Sequence, residues 1–405
     1  MRLYLLALNP TVSVTEGFLP AARRLGLQVT LLTDQPGAHA RSGAGTGDDG
    51  VEILDCDVRD FHALITRIST HHAPDAVFTN SDHLQTQAAL AADYFGLPGK
   101  DWRATLRTKD KAQLRRHLTA TGADTVRAAE LPAGRDPEEL RAVPVPYPCV
   151  LKPREGVASE DVVLATSPEE LVRYAREIRS RRAGAPLVVE EYLDGELHTL
   201  ETLGDGRVRH LLGGFHSEVS PPPVFIEKRH HYVAAHPEDI TRQILAQLDA
   251  LGVGFGACHT EFVVSDDGRA RLIEVNYRAI GDQCDLLLAQ LLDVPLFDHI
   301  LRTHLGEPLP ADLGARTGAR ARVHYPLADR AGTLTSAPGA CDLEQDGIKL
   351  AYRPLRDVGE QHELYGTNRD YLGVIRAFGP DGTGQQAVDL AVERFLTERR
   401  WEITP

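Results

Sequence analysis

The chain has 405 residues, with 44 basic and 58 acidic side chains and a formal charge of −14. That balance excludes a broad nucleic-acid or anionic-membrane surface, since both need a basic face, but leaves room for a local basic pocket around a small anion. The length predicts two to four structural units, and 42% hydrophobic with 25% charged residues predicts a globular chain rather than a disordered one.

The opening "MRLYLLALNP" carries an apolar run at 3–8. It reads as a buried strand, and is too short for a signal peptide core. "GFLPAARRLGLQVTLLTD" predicts a helix ending near Gly26 and a second strand, Gln28–Thr33. Residues 36–50 are Gly-rich and polar, which predicts a loop. A helix over 60–71, a third strand "DAVFTN" and a helix ending at Gly96 follow. This β-α-β order predicts a parallel sheet with right-handed crossovers.

Asp110 is a good N-cap, Gln113 sits at the third helical position and Gly122 follows the last turn, so 110–121 is predicted helical. The strand "PCVLKP", the Ser167-capped helix "SPEELVRYAREIRSRR" and the strand "PLVVEEYL" come next. Strands and helices alternate to about Gly306. The Gly-rich tail ends in the strand-like "IKLAYRPL" and the helix "QQAVDLAVERFLTERR". "LLLAQLLDVPLF" is broken by Gln290, Asp293 and Pro295, so no membrane span is expected. Cys56, Cys149, Cys258, Cys284 and Cys341 are scattered without a C-x-x-C pair, which predicts reduced thiols and a cytoplasmic protein.

The chemistry concentrates in "HTEFVVSDDGRARLIEVNYR", residues 259–278. It reads as a hairpin turning at Asp267-Gly268. That register sets Glu261 opposite Glu274, with Cβ atoms roughly 5 Å apart, and Asn276 and Arg278 on the same face. Two facing carboxylates repel unless a cation lies between them. With the Asn276 amide oxygen they form a hard oxygen set suited to Mg²⁺.

Lys152 sits in an otherwise apolar strand and is costly without an anion. The stretch "REGVASEDV" after it, with Gly156, Ala158 and Ser159, could bring backbone N–H groups to phosphates. Lys111 follows Asp110 on its helix. Glu190, Glu191, Tyr192 and Leu193 end a strand and lead into a link whose backbone could meet an adenine edge, with Glu196 or Glu201 near a ribose. Of the 17 histidines, His71-His72, His210/His216 and His230-His231 invite a zinc reading, but no H-x-x-x-H or finger spacing supports it. Among His216, Glu227, Lys228, Arg229 and His230, Arg229 is the leading choice for a substrate carboxylate, because a guanidinium matches it in bidentate fashion.

In this order, from 108 to 281, these segments resemble the ATP-grasp superfamily, specifically its carboxylate–amine ligases. "PPPVFIEKR" resembles a substrate-side segment of those enzymes. The resemblance implies an α/β fold in four parts. These are an N-terminal Rossmann-like parallel unit (1–100), a small nucleotide-side lobe (101–193), a large metal- and substrate-side lobe (194–310) and a C-terminal subdomain completing it (311–405). It implies ATP and Mg²⁺, with Mn²⁺ as a substitute. Lys111, Lys152 and Ser159 would serve the phosphates, and Glu190, Glu191, Tyr192 and Leu193 the adenine. Glu196 or Glu201 would serve the ribose, although Leu197 stands where such enzymes often carry a ribose-binding Glu. Glu261, Glu274 and Asn276 would hold the metal, and Arg278, Lys152 and Arg229 would act on the reacting groups.

The implied reaction joins a small-molecule carboxylate to an amine through an acyl phosphate, releasing ADP and phosphate. Its product would be a peptide-like metabolite or a carboxylate siderophore. No protein nucleophile is required. Nucleic-acid and membrane partners are not expected, and a homodimer is the default assembly. The rival readings are a non-catalytic ATP-binding regulator and an ATP-grasp enzyme of purine or carboxylation type.

Overall fold

The apolar run near the N-terminus becomes the centre of a parallel sheet. In the computed structural model, which describes residues 1–44 and 50–405, the strands are β1 (Arg2–Leu6), β2 (Gln28–Thr33), β3 (Val51–Asp55) and β4 (Ala76–Phe78). They pair in parallel in the order β3-β2-β1-β4. The sequence predicts three strands here. The extra one, β3, lies at the sheet edge and is only partly buried, so it lacks the continuous apolar signature of β1. Within the predicted loop at 36–50, Pro36–Arg41 forms a short helix with proline in its first turn, and 45–49 lie outside the described residues. A further helix, Trp102–Lys109, carries no apolar stripe strong enough to be read in advance; Asp101 caps it.

The predicted caps are present. The Asp110 carboxylate accepts from Gln113 N–H at 3.0 Å, and Gly122 ends Lys111–Thr121 in the left-handed region. Ser167 Oγ accepts from Glu170 N–H at 3.2 Å to start Pro168–Arg181.

A small antiparallel sheet follows: β5 (Ala128–Leu131), β6 (Cys149–Pro153), β7 (Val163–Ala165) and β8 (Leu187–Glu191), in the order β5-β8-β6-β7. Leu171, Val172, Ala175 and Ile178 of helix Pro168–Arg181 bury one face of it against Leu151, Leu187 and Val189.

The large antiparallel sheet begins with β9 (Glu196–Asp205), β10 (Arg209–Leu211), β11 (Gly214–Val219), β12 (Glu227–Val233), β13 (Phe255–Val264) and β14 (Ala270–Asn276). The tail adds β15 (Arg320–His324), β16 (Gly332–Ser336), β17 (Cys341–Gln345), β18 (Ile348–Pro354), β19 (Gln361–His362), β20 (Gly373–Gly379) and β21 (Glu402–Thr404). The order is β14-β13-β9-β11-β12-β15-β20-β18-β17, with β10 beside β9, so the tail extends this sheet; β19-β16-β21 form a separate one. One core runs from β1, β2 and β4 through helices Cys284–Leu292 and Leu296–His304 to β15 and β20.

Helix Glu238–Leu251 covers one face of β13 and β14, where Ile244 and Leu248 pack on Phe262, Leu272 and Val275. Alternation then turns Glu261, Glu274 and Asn276 to the other face. The five cysteines are free thiols, and among the described residues no helix is long and apolar enough to cross a membrane.

Candidate functional site

Between the small sheet and the large one lies a cavity of about 430 Å³. The small sheet contributes Lys152, Glu190 and Glu191, and the link after it adds Tyr192 and Leu193. The large sheet contributes Glu227, His230, His259, Glu261, Glu274 and Asn276. Lys111, Ser159 and Arg278 complete the set of sequence-selected residues in its wall.

The hairpin register arises differently from the expectation. The strands pair as Val264↔Ala270 around a wider turn in which Ser265 N–H donates to Arg269 C=O at 3.1 Å. A bulge then inserts Ile273, and the pairing moves by one to Glu261↔Glu274. The two departures cancel, so the carboxylates face each other as the simpler turn predicts. Arg278 lies past the strand end, where its N–H turns back to Asn276 C=O at 2.7 Å.

The carboxylates at this end have cationic partners. Lys111 Nζ lies 2.8 Å from Glu274 Oε1. Burial opposes the Lys111 charge, but Glu274 outweighs it and raises the lysine pKa. His259 Nδ1 lies 2.7 Å from Glu201 and its Nε2 lies 3.3 Å from Glu261. Burial disfavours the imidazolium, yet the two carboxylates raise its pKa to about 10. Glu261 is correspondingly lowered, against its own burial, chiefly by His259. Asn276 Nδ2 donates to Glu261 at 3.3 Å, which leaves the amide oxygen free for a cation.

Lys152 Nζ contacts Glu190 at 2.7 Å, and Arg115 grips the same carboxylate through Nε and Nη2 at 2.9 and 3.0 Å. Burial pushes Glu190 up, but Arg115 and Lys152 carry it down to about 2. Burial pushes the Lys152 ammonium down. Glu190 is thus committed to holding Lys152 in place, a different task from the adenine contact expected of it. Glu191 accepts from Arg127 N–H at 3.0 Å, and Tyr192 N–H donates to Pro148 C=O at 3.2 Å. Gly195 follows at φ +147°, and a Cβ there would run into the Val264 carbonyl, so only glycine fits.

The loop after Lys152 places Ala158, Ser159 and Asp161 at positive φ. Such conformations cost about 1 kcal/mol or more each in non-glycine residues and persist only where the surroundings enforce them. Arg182 pairs with Glu160 and Asp161, and Arg369 with Glu160. Among the described residues, the backbone N–H groups of 156–159 have no acceptor. They line the cavity and could serve an anion.

Three expected residues stay outside the cavity wall. Glu196 is exposed and pairs with His198 at 3.4 Å. Glu201 is buried behind the wall on His259, because β9 and β13 set the two opposite each other. Arg229 is ion-paired with Glu218. It faces away because it alternates with His230 in regular register; beyond it a bulge in β12 steps the pairing from Glu218↔Arg229 to Val219↔Glu227, leaving Lys228 as the extra residue. That step returns Glu227 to the cavity face beside His230, so of the five residues weighed for substrate contact these two line the cavity.

Sequence reasoning gave no role to His259 and did not weigh Arg115, Asp282, Tyr325 or Asn368, which meet the site from distant parts of the chain. A buried arginine with two acidic partners, Glu190 and Asp124, is visible only once the fold brings them together. Two acid–histidine groups, Glu52/His71/His72 and Glu196/His198/His216, hold ligand-type atoms within 4.8 Å of one another. Sequence spacing missed the second because His198 and His216 are cross-strand neighbours.

Residues 145–286 match the family model described as an ATP-grasp domain. The chain is 26% identical over 370 residues to the formate-dependent phosphoribosylglycinamide formyltransferase of Ignicoccus hospitalis, covering 85% of this chain and 82% of that protein. It is 28% identical over 196 residues to a D-alanine–D-alanine ligase of Anaeromyxobacter, covering 45% and 61%. Among solved structures, an L-amino acid ligase from Bacillus licheniformis matches with a TM-score of 0.80 at 20% identity, over 100% of this chain and 99% of that one. A phosphoribosylglycinamide synthetase from Anaerococcus prevotii matches at 0.72 and 15%, over 100% and 99%. At these identities the structural matches speak for the fold.

Proposed function

We propose that this chain, whose residues 145–286 match the ATP-grasp domain model, is an ATP-dependent carboxylate–amine ligase that forms an amide and releases ADP and phosphate. The observation that carries this reading is one cavity lined by Glu261, Glu274 and Asn276 together with Lys111, Lys152 and Arg278.

The residues suit the groups the reaction requires. Glu261, Glu274 and the Asn276 oxygen are hard ligands appropriate to Mg²⁺ or Mn²⁺. Lys111 already rests against Glu274. That contact fits a face that needs a cation. When bound, ATP supplies the phosphoryl group and Mg²⁺ neutralises charge on it.

The chain's own residues do the rest. Lys152, fixed through Glu190 and Arg115, offers a positioned ammonium to phosphate oxygens. Arg278 donates to Ala279 C=O at 2.8 Å and has no carboxylate partner within ion-pair distance among the described residues, so its remaining N–H groups are available to an activated carboxylate. The 156–160 wall and the hinge restrict water, which would otherwise hydrolyse an acyl phosphate. Glu191, Tyr192 and Leu193 are the candidate adenine contacts.

The likeness to an L-amino acid ligase favours amino-acid-like substrates and a peptide-like product; a carboxylate siderophore is the other product class of this chemistry. The Ignicoccus relative supports a second reading, ligation onto a phosphorylated purine precursor. That reading needs a second phosphate site. Arg278 is the one lysine or arginine among the described cavity residues without a carboxylate partner, which favours the first reading.

The test is ADP release with ATP, Mg²⁺ and pairs of the twenty protein amino acids, with Glu274→Gln as control. ADP should form only when a carboxylate and an amine are both present. ATP binding without turnover on any pair would sink the ligase reading, and full activity in Glu274→Gln would sink the metal assignment.

A further inference from the structure

The carboxylates lining the cavity fall into two groups. Glu160, Glu190, Glu191, Glu261 and Glu274 each have a cationic partner. Glu227 and Asp282 have none among the described residues. Glu227 Oε2 accepts from Asn368 Nδ2 at 3.0 Å, and its backbone N–H donates to Asn368 Oδ1 at 3.2 Å. These contacts aim the carboxylate without neutralising it. Asp282, at φ +52°, is held through its carbonyl, which accepts from Tyr325 O–H at 3.4 Å; its carboxylate has no described hydrogen-bond donor.

His230 supplies the third, independent observation. It is 5% exposed and lines the cavity, 5.6 Å from the Tyr325 ring. Its Nδ1 contacts Ser217 Oγ at 2.7 Å, and its Nε2 has no described partner. Burial keeps this imidazole neutral, with its pKa near 3. In the tautomer whose Nδ1–H donates to Ser217, Nε2 presents a lone pair to the cavity.

We propose that Glu227, Asp282 and His230 Nε2 form the acceptor subsite and bind the amine substrate as a primary ammonium ion. A primary ammonium has three N–H donors and no acceptor. The subsite offers three acceptors, two of them carboxyl groups that a bound ammonium would hold ionised. The other candidate for substrate recognition, Arg229, is absent from the cavity wall and paired with Glu218. The end of the cavity formed by β12, β15 and the loop after β14 therefore selects a positive group. This deepens the ligase reading and rests on it for the meaning of the amine, while the charge preference itself is measurable without turnover.

The experiment measures binding to the full chain with Mg²⁺ and a non-hydrolysable ATP analogue. The probes are glycinamide, its N-methyl derivative sarcosinamide, and propanamide, which lacks the ammonium. Calorimetry should give at least ten-fold tighter binding of glycinamide than propanamide, with sarcosinamide between them. Glu227→Gln and Asp282→Asn should each reduce that preference to within about three-fold, and Glu227→Asp should restore part of it. Melting curves without ligand report separately whether each variant folds.

Glycinamide binding no better than propanamide in the wild type would overturn the subsite. So would a preference that survives Glu227→Gln and Asp282→Asn. A second arm traps activated amino acids with hydroxylamine, which is largely uncharged at neutral pH. In Glu227→Gln, dipeptide formation should fall at least ten-fold further than hydroxamate formation; an equal fall overturns the assignment. Absence of both products in the wild type would refute the ligase reading and leave the binding arm to decide the subsite.

Discussion

The two ends of the cavity solve opposite electrostatic problems. At the β6–β8 and β13–β14 end, Arg115, Lys152 and Glu190 form one buried network, Lys111 pairs with Glu274, and His259 joins Glu261 to Glu201. At the β12–β15 end, Glu227 and Asp282 have no cationic partner among the described residues. Burial, together with Glu261 and Asp282, raises the Glu227 carboxyl to about 8, whereas Arg115 and Lys152 bring Glu190, against its own burial, down to about 2. The same side-chain type thus behaves as a fixed structural anion in one place and as open binding capacity in the other. What differs is which charges the fold delivers to it.

The largest expected effect comes from breaking the paired end. Arg115→Met removes the bidentate partner of Glu190 and should cost about 3–5 kcal/mol, since a buried charge is left under-compensated. Chemical denaturation should show this as a lower midpoint. Next comes Glu274→Gln, which removes a proposed metal ligand and the partner of Lys111. ADP release should fall about 100-fold, close to 2.7 kcal/mol, while the melting temperature moves little. Gly195→Ala forces a side chain into an extended positive-φ backbone against Val264, so a loss of about 1–3 kcal/mol and weaker ATP binding are expected.

The pH dependence sharpens the contrast further. Glu190 is depressed, so its stabilisation is present above about 4.5 and is lost as pH falls toward 2. His259 is raised, so its stabilisation is present below about 6.5 and is lost as pH rises through about 10. Glu227 runs the other way: the unfolded carboxylate ionises first, so folding loses stability between about 4.5 and 8. Each slope is at most about 1.4 kcal/mol per pH unit. Glu227→Gln should flatten the middle segment of a stability-versus-pH curve, and Glu190→Gln the acid one. The smallest effect belongs to Arg229→Ala. Its partly exposed pair with Glu218 should be worth under about 1 kcal/mol, and ADP release should stay within about two-fold. A large loss of activity there would return Arg229 to the substrate site and weaken the comparison.

Much of this was legible in the sequence wherever the signal is local. Asp110, Gly122 and Ser167 act within one helical turn, so their caps were readable. The face-to-face placement of Glu261 and Glu274 was readable because strand alternation carries it, although a wider turn and an inserted Ile273 produce it. The strand Val51–Asp55 was not, because an edge strand needs no continuous apolar run. The cavity-facing direction of Glu227 was not, because a single extra residue, Lys228, sets it without leaving a mark in composition, whereas Arg229 faces away by plain alternation with His230.

The sequence by itself determined the alternating faces, the capped helices, the order of the charged segments and their likeness to the ATP-grasp pattern. Each of those rests on contacts between near neighbours in the chain. Only the tertiary structure decided which acids are neutralised. Glu190 meets Arg115 from 75 residues away, and Glu201 meets His259 across 58. Charge pairing at that separation depends on how sheets and helices pack, and the one-dimensional spacing of residues does not encode it. The same packing leaves Glu227 and Asp282 open and so sets the polarity of the site.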